Sequence, residues 1–425
     1  MNFTDDMFPE EELEEIRSLF YYTERDPEGN KRLFFDNAGG SLRLKRAEDE
    51  FHRISSYPDA PGHSNRLAGI LEEAAKQGRR DLKEVIFNAA GGALYPGYTA
   101  SAVMMEMTRV ISENAVGTNY VTTVLEHPSA FDAMEFYARK NGCGLRVAQA
   151  NRETGGVDAG EVLSLIDKNT AVLSCMAASN ISGYQYDIET IFREARKINP
   201  DLYIICDAVQ HAPHGTLDPE KYGVDAMNFA PYKFFGVRGF GVAYLSDRAV
   251  RLEHNRLSGK PADEWLAGSE TPAHLAALTE IVNYVTALGK KKASGCTDRR
   301  KLFELGMARI ASHERGLLRI MLEGTEREKG LRHIEGVKVQ MDGRDLRTRD
   351  LILGIEFERL GAKQAAAEYE KRGIITFERT YDSIYSTRML DAFASKGVVR
   401  ISPLHVNTPR EMEDFLKVTS EIAGL

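Results

Sequence analysis

The segment that decides the expected fold runs from Thr170 to Gln210 and reads "TAVLSCMAASNISGYQYDIETIFREARKINPDLYIICDAVQ". Its two apolar runs have the length and composition of buried strands, and the stretch between them has the apolar spacing of an amphipathic helix. A strand, a helix and a second strand in this order indicate parallel strands joined by a right-handed crossover. The alternation extends in both directions along the chain, from "YVTTVLEHPSA" to "FGVAYLS".

We therefore predict an α/β fold with a mainly parallel, doubly wound sheet as its large domain. The C-terminal part has strand-like runs, "LILGIEFERL" and "GVVRISPLHVN", with few crossovers, which indicates a smaller α+β domain. We divide the chain into an N-terminal helical segment (1–30), a large domain (31–285) and a small C-terminal domain (286–425). The N-terminal segment is expected to pack with the small domain.

The composition excludes some classes of function. The 425 residues include 55 Lys and Arg against 63 Asp and Glu, and this net charge of −8 disfavours binding to nucleic acids or anionic membranes. The first residues lack the basic and apolar regions of a signal peptide, and no apolar run is long enough to span a membrane. Four cysteines without CxxC spacing fit a reducing cytoplasm rather than a disulfide framework or a zinc site.

Ligands of doubly wound sheets bind beyond the carboxyl ends of the strands, so the residues that follow each strand are candidates for the site. A strand is predicted at Val85–Phe87, with a glycine turn after it that opens a helix. The candidates combine one lysine, one carboxylate, one imidazole, several amides and this turn: Asn37, Gly91, Gly92, His127, Asn180, Asp207, Gln210 and Lys233. No standard set of metal ligands and no G-x-S-x-G nucleophile motif occurs in the chain.

This combination suits pyridoxal 5′-phosphate. A lysine amine can form a Schiff base with the aldehyde of this cofactor. A carboxylate keeps the pyridine nitrogen protonated, so that the ring accepts electrons. The backbone N–H groups of a glycine turn at a helix N-terminus bind a phosphate.

The motifs, taken in order from about Phe34 to Asn407, resemble the fold-type I enzymes that depend on pyridoxal 5′-phosphate (PLP). The likeness is to the class V aminotransferase and cysteine desulfurase-like family in particular, and it implies the PLP-dependent transferase fold of type I. The stretches that carry it are "FFDNAGGS", "IFNAAGG", "EHPSA", "ASNISG", "DAVQHAPHG", "APYKFFGVRGFG", "LAGSETP" and "VVRIS" followed by "VNTPREMEDF".

The resemblance assigns a role to each matching residue. Lys233 is the Schiff-base lysine and Asp207 is the partner of the pyridine nitrogen. His127 stacks on the ring, and Asn180 and Gln210 reach its phenolic oxygen. Phosphate contacts fall to Gly91 and Gly92 and, across a homodimer interface, to Ser269, with Thr271 as the alternative. Tyr232, in place of a histidine, resembles the cysteine desulfurase-like branch and is a cofactor-binding candidate. Arg400 is the candidate to bind the α-carboxylate of an amino-acid substrate, because a guanidinium can hold it through two hydrogen bonds.

Two departures from the family pattern are visible. Ala230 stands where a phosphate-binding serine is usual, and the sequence leaves its replacement open among five residues: His63, Ser64, Asn65, Tyr232 and Arg238. The segment 377–402, in which a desulfurase carries its nucleophilic cysteine, contains no cysteine but does contain Tyr381 and Tyr385, for which packing is the preferred interpretation.

The predicted function is β-elimination from a cysteine-type amino acid, as in a C–S lyase or desulfurase-like enzyme that uses no enzyme persulfide. A class V aminotransferase or an amino-acid epimerase is the alternative among enzymes. A PLP-binding scaffold with a degenerate site is the alternative outside catalysis.

Overall fold

The computed structural model describes residues 7–58 and 60–425. Residues 1–6 of the predicted N-terminal segment lie outside the described part. The helices there are α1 (Glu10–Ser18), α2 (Lys45–Ser55), α3 (Arg66–Arg80), α4 (Ala100–Asn114), α5 (Pro128–Lys140), α6 (Ala159–Ser164), α7 (Ile188–Ile198), α8 (Pro219–Tyr222), α9 (Pro272–Lys290), α10 (Arg299–Glu323), α11 (Ala362–Lys371), α12 (Thr387–Phe393) and α13 (Pro409–Ala423).

The strands over the same residues are β1 (Leu33–Phe34), β2 (Ala93–Gly97), β3 (Asn119–Thr123), β4 (Gly144–Ala148), β5 (Thr170–Met176), β6 (Tyr203–Asp207), β7 (Ala226–Phe229), β8 (Gly241–Leu245), β9 (Val337–Gln340), β10 (Leu353–Phe357), β11 (Ile374–Ile375), β12 (Phe377–Arg379) and β13 (Val398–Ile401).

A seven-stranded sheet with the order β2-β8-β7-β6-β5-β3-β4 forms the centre of the molecule. Neighbouring strands are parallel except at β8, which runs antiparallel to both β7 and β2. Parallel strands must be covered on both faces, and the buried positions along β5 and β6 meet this requirement. The predicted α/β class with a mainly parallel sheet is confirmed.

One predicted strand is wrong. Val85 and Ile86 are helical and Phe87 directly follows the helix, because α3 continues without a break into a π-helical turn at Asp81–Ile86. The glycine turn that follows leads into strand β2, and the next helix, α4, begins only at Ala100. The strand assignment failed because a short apolar run does not distinguish a strand from the buried end of a helix.

The C-terminal residues form a second, antiparallel sheet with the order β12-β13-β10-β9, beside helices α11 and α13. Helix α10 joins the two parts, because Phe303 and Met307 belong to the large apolar core while Leu317 and Met321 belong to the small one. Arg17 of α1 donates two 3.1 Å hydrogen bonds to the carboxylate of Glu411 in α13. The domain boundaries remain a prediction.

A buried group of ionisable side chains lies between the large part of the molecule, α10 and the C-terminal part. His214 Nδ1 is 2.7 Å from Glu314 Oε2, and the backbone N–H of His405 donates to Glu314 Oε1 over 3.1 Å. Burial disfavours a charged ring, but the charge of Glu314 and its hydrogen bond prevail and raise the pKa of His214 to about 9. Burial raises the pKa of Glu314 as well, and the charge and hydrogen bond of His214 act against this shift, so each group favours the charged form of the other.

No helix in residues 7–58 and 60–425 combines the length and the apolar character that crossing a membrane requires.

Candidate active site

A cavity of about 400 Å³ lies at the carboxyl ends of β5, β6 and β7. Six of the residues predicted from the sequence meet there: His127, Asn180, Asp207, Gln210, Tyr232 and Lys233. The parallel strands bring them together, since each residue follows or ends a strand on the same edge of the sheet. The remaining predicted residues do not line this cavity: Asn37, Gly91, Gly92, Ser269 and Arg400.

Lys233 ends a short 3-10 turn, Pro231–Lys233, that directly follows β7. Burial, and next the positive charge of Arg400, lower the pKa of the Lys233 amine to about 7, and the carboxylate of Asp207 opposes this shift. A large fraction of the amine is therefore unprotonated at neutral pH. This is the state in which a lysine attacks an aldehyde or accepts a proton.

Asp207 is the last residue of β6 and is 7% exposed. Its Oδ1 accepts a hydrogen bond from the backbone N–H of Val209 over 3.0 Å. Burial raises the pKa of this carboxyl, while the Val209 N–H and the charge of Lys233 act in the opposite direction. A cationic ring nitrogen beside Asp207 would stabilise the ionised carboxylate, so the residue fits the role of partner to a protonated pyridine.

His127 is the residue before α5 and holds its ring in place through Ser129. Its Nδ1 accepts from the backbone N–H of Ser129 over 3.2 Å and lies 2.7 Å from the hydroxyl of the same residue. Burial, followed by the charge of Lys233, lowers the pKa of His127 to about 3, so the ring is neutral. The ring of Tyr385 stacks on it with centroids 5.6 Å apart, at the cavity wall.

Three amide side chains line the cavity. Gln210 donates from Nε2 to the carbonyl oxygen of Ala38 over 3.0 Å. Asn180 Oδ1 and Asn228 Oδ1 are both buried without a hydrogen-bond partner among the described residues. Buried polar atoms in proteins nearly always have a partner, so two such atoms in one cavity indicate a polar ligand there.

Asn228 was missed in the sequence. It lies in β7 opposite Asp207 of β6, is 1% exposed, and donates from Nδ2 to the carbonyl oxygen of Ala100 over 3.3 Å. The signal was present in "AMNFAP", where an asparagine is the one polar residue of an otherwise buried strand. A polar side chain in such a strand requires a specific partner.

The positions of Gly91 and Gly92 correct a prediction. The backbone N–H of Gly91 donates to Glu220 Oε1 over 2.7 Å, and that of Gly92 donates to Asp247 Oδ1 over 2.9 Å. These N–H groups are already bonded to carboxylates, whose charge would repel a phosphate. The helix N-terminus that faces the cavity is instead that of α4, through Thr99, Ala100 and Ser101.

Arg400 lies behind the cavity on β13 and is 3% exposed. Its Nη2 donates to Asp36 Oδ1 over 2.6 Å, and its Nη1 donates to the carbonyl oxygen of Asn180 over 3.3 Å. Its Nε is buried with no partner in the described part of the chain. Arg379 carries a second buried guanidinium nearby. Burial, and next the positive charge of Arg400, lower the pKa of Arg379 to about 9.

Ser269 lies in a different cavity of about 790 Å³, which Gly92 also lines. Thr271, the alternative to Ser269 for the phosphate contact, is the residue before α9, and its side chain makes no capping hydrogen bond there. Both residues were predicted to reach the cofactor of a second subunit, so their absence from the first cavity leaves that prediction as it stands.

None of the four cysteines lines the cavity. Cys175 and Cys206 are buried in neighbouring strands, and burial raises the pKa of both thiols well above the ordinary value. Cys143 and Cys296 are partly exposed elsewhere on the surface. Within the described residues, no group of three or more His, Cys, Asp or Glu side chains is arranged to hold a metal ion.

The residues of the cavity fit pyridoxal 5′-phosphate. An unprotonated lysine, a carboxylate, a neutral imidazole and two buried amide oxygens without partners surround one space, and a helix N-terminus faces it. Lys233 would hold the aldehyde, Asp207 the pyridine nitrogen and His127 the ring face. Tyr232 also lines this space and is expected near the phosphate.

Comparisons with known proteins show the family to which the chain is similar. The family model described as aminotransferase class-V matches residues 33–415. A probable cysteine desulfurase of Mycoplasma genitalium is 28% identical over 243 residues, which are 55% of this chain and 57% of that protein. One of Borreliella burgdorferi is 31% identical over 243 residues, 55% of this chain and 56% of that protein. The chain thus spans little more than half the length of these two relatives.

Solved structures with the same fold cover nearly the whole chain. A cysteine desulfurase from Thermococcus onnurineus NA1 superposes with a TM-score of 0.81 at 20% identity, over 95% of this chain and 98% of that one. The Escherichia coli cysteine desulfurase CsdA superposes with a TM-score of 0.79 at 15% identity, over 99% of both chains. From the match of the family model over most of its length, the chain belongs to the aminotransferase class-V family, whose members are enzymes that depend on pyridoxal 5′-phosphate.

Proposed function

We propose that the protein catalyses β-elimination from a cysteine-type amino acid. For cysteine itself, one molecule of substrate and one of water yield one molecule each of pyruvate, ammonia and sulfide. The observation that carries the proposal is the reacting lysine, Lys233, in a cavity without a thiol. The bound cofactor would supply an aldehyde that captures the substrate amine and a ring that accepts electrons from Cα.

Lys233 is the base in this proposal. With the substrate held by the cofactor, the free amine of Lys233 would be the group that removes the proton from Cα. A pKa of about 7 suits this task, because a base works best when its pKa is near the pH of operation. The electron pair left at Cα then expels the sulfur group from Cβ, and the sulfur leaves with a proton as a thiol or as sulfide.

Asp207 and His127 support this step without exchanging protons with the substrate. The carboxylate of Asp207 lies at the end of β6 and would keep the ring nitrogen cationic. The neutral ring of His127, held by Ser129, would pack on the face of the cofactor and fix its plane. A fixed plane matters because the Cα–H bond must stand perpendicular to the ring to be broken.

Arg400 is the proposed site for the α-carboxylate of the substrate. Its unpartnered Nε and its hydrogen bond to the carbonyl oxygen of Asn180, a residue of the cavity lining, support this assignment. The carboxylate of Asp36 holds the same guanidinium in the structure. A substrate carboxylate would therefore share this arginine with Asp36 or displace it.

The absence of a nearby thiol favours elimination over transfer of sulfur to the enzyme. In a persulfide mechanism, a cysteine must reach the sulfur of the substrate. The chain segment at the cavity mouth, which includes Tyr385, has no cysteine. The relatives in the comparisons that are named cysteine desulfurases support the choice of a sulfur-containing substrate.

We further infer a homodimer in which Ser269 or Thr271 of each subunit reaches the cofactor phosphate of the other. The open cavity beside Ser269 and the uncapped hydroxyl of Thr271 support this arrangement. The four unpaired cysteines support a location in the reducing cytoplasm.

The test is a product analysis with purified protein, pyridoxal 5′-phosphate and L-cysteine. We expect sulfide, pyruvate and ammonia in equal amounts, and no product from Lys233→Ala. The variants Cys143→Ser and Cys296→Ser should retain full activity, because neither thiol lines the cavity. Alanine with a protein-bound persulfide would show desulfuration, a keto acid without sulfide would show transamination, and the D-amino acid would show epimerisation. Each of these results contradicts the proposal.

A further inference from the structure

One end of the cavity lacks a group that the cofactor needs. A phosphate carries about two negative charges at neutral pH and is held by hydrogen-bond donors and positive charge. The α4 N-terminus faces this end through Thr99, Ala100 and Ser101, but Ala230 contributes only a methyl group where the family resemblance predicts a serine hydroxyl. The helix N-terminus alone supplies only about half a unit of charge.

Arg238 is the available cation. Among the residues that line the cavity, the positively charged ones are Lys233 and Arg238, and Lys233 is committed to the aldehyde. Arg238 has no carboxylate within salt-bridge distance in residues 7–58 and 60–425, and its side chain is exposed. An arginine at a cavity wall without an anionic partner is suited to binding an anion through two hydrogen bonds.

Two neighbours fix the position of this guanidinium. It lies over the ring of Tyr232, with the guanidinium carbon 4.6 Å from the ring centre. Burial raises the pKa of the Tyr232 phenol, so the ring remains neutral and adds no charge of its own. On the other side, Nη2 lies so near the backbone of Gly40 that a Cβ there would collide with it. A glycine at this position is therefore what permits the approach.

The chain around Arg238 is in direct contact with the first turn of α4. Gly239 and Phe240 line the cavity after Arg238, and a Cβ at Gly241 would overlap Thr99 and Ala100. This contact places the cationic segment and the helix N-terminus at the same end of the cavity.

Asn228 fixes the first turn of α4 at this end, and its free Oδ1 is an acceptor that does not itself bind a phosphate. Its Nδ2 holds the Ala100 carbonyl, while its Oδ1 is buried in the cavity lining without a partner in the described chain. Successive side chains of a strand alternate between its faces, so Asn228 and Ala230 project to the same side of β7. The amide therefore stands next to the place where the serine hydroxyl is missing.

We propose that Arg238 binds the cofactor phosphate in place of the hydroxyl missing at Ala230, with Asn228 fixing the first turn of α4 beside it. Of the other replacements that the sequence left open, Tyr232 lines the cavity but carries no positive charge, and the remaining three lie elsewhere. His63, Ser64 and Asn65 do not line the cavity, and Asn65 Oδ1 caps helix α3. The proposal concerns the family cofactor and stands independently of the reaction proposed above.

The test compares two ligands that differ only in the phosphate. Binding of pyridoxal 5′-phosphate and of 5′-deoxypyridoxal to the apoprotein is followed by absorbance, and both form their bond with Lys233. In Arg238→Met, the Kd for the phosphorylated ligand should rise about 10- to 100-fold, the range for one lost charged hydrogen-bonding group. The Kd for 5′-deoxypyridoxal should change less than about twofold, since no phosphate is involved.

Three further variants complete the design. Arg238→Lys should lose less affinity than Arg238→Met, because it keeps the charge without the two parallel hydrogen bonds. Adding Ala230→Ser to Arg238→Met should recover part of the affinity by restoring the hydroxyl. Arg46→Met, at an arginine whose side chain is 74% exposed, serves as the control and should bind both ligands as the unmodified protein does.

Two outcomes would overturn the proposal: an unchanged Kd for pyridoxal 5′-phosphate in Arg238→Met, or an equal loss for both ligands, which would indicate damage to the fold. The ³¹P resonance of the bound cofactor is a second readout. It should move toward that of free pyridoxal 5′-phosphate in Arg238→Met, and an unshifted resonance contradicts the assignment.

Discussion

The guanidinium of Arg400 donates a hydrogen bond to the carboxylate of Asp36, with Nη2 and Oδ1 2.6 Å apart. The arginine proposed to bind the substrate carboxylate thus already holds an anion from its own chain. The side chain of Arg400 is only 3% exposed, so solvent screens its interaction with Asp36 weakly. Substrate binding must therefore compete with Asp36.

The first prediction follows from this competition. Asp36→Asn keeps the shape of the side chain and removes its charge, so the KM for the amino acid should fall by a few-fold, about 1 kcal/mol of binding free energy. Arg400→Lys should raise the KM about 10-fold or more, because two parallel hydrogen bonds are lost. Steady-state kinetics on both variants measures the effect. A higher KM in Asp36→Asn would show that Asp36 orients the arginine rather than competing for it.

The second prediction concerns the pH dependence of cofactor capture. A pKa of about 7 for Lys233 means that its amine is protonated below this pH and reactive above it. The rate at which the apoprotein captures the aldehyde should therefore rise with pH, with a midpoint near 7. Arg400→Gln removes the charge that is, after burial, the main cause of the lowered pKa, so the midpoint should move to higher pH. Stopped-flow absorbance gives both midpoints, and identical values would contradict this account.

The third prediction concerns Asp207. Replacement by asparagine keeps the size of the side chain but cannot hold a cationic ring nitrogen. We expect kcat to fall at least about 100-fold, the usual loss when one electrostatic partner of the reacting group is removed. The affinity for pyridoxal 5′-phosphate should change much less, since Lys233 and the phosphate contacts remain. Parallel measurement of kcat and of cofactor Kd separates the two effects, and equal losses in both would argue against the role.

The fourth prediction concerns stability and the buried pair of His214 and Glu314. His214→Ala leaves Glu314 buried without its partner and should lower the free energy of unfolding by about 3–5 kcal/mol. The pKa of His214 is raised to about 9, so the stability that the ring contributes is fully present below its unfolded pKa of 6.5 and is lost as the pH rises through 9. The destabilisation by His214→Ala should therefore be larger at pH 6 than at pH 9.5.

Urea unfolding at both pH values measures this difference. The double variant His214→Ala with Glu314→Gln is the matched control, because it removes the charge left unpaired by the single change. It should be more stable than His214→Ala alone. A destabilisation of the same size at both pH values would mean that packing rather than charge accounts for the loss.

The residues after the strands could be predicted from the sequence because strand ends have a clear signal. Asp207 and Lys233 each follow an apolar run, and parallel pairing necessarily brings the ends of such runs together. The phosphate end could not be predicted in the same way. There the helical turn at Asp81–Ile86 had the appearance of a strand, and the glycines after it lead into strand β2 rather than into a helix.

Contacts between distant parts of the chain also could not be predicted from the sequence. The pairing of Arg400 with Asp36 joins residues 364 positions apart, and no local pattern encodes it. Arg238 appeared in the sequence as one of five possible replacements, and only its unpaired guanidinium in the cavity wall separates it from the others.

The reversal of direction at β8 has a consequence for how the site can change. The chain leaves β7 at Phe229, turns back through residues 230–240 and re-enters the sheet at Gly241, so the amine of Lys233 and the guanidinium of Arg238 belong to one short connection. The length of that connection would set the distance between the Lys233 amine, at the aldehyde end of the cofactor, and the Arg238 guanidinium, at its phosphate end. Inserting or deleting a single residue in this connection would move both groups at once. We therefore expect the protein to tolerate side-chain substitutions there better than a change in the length of the loop.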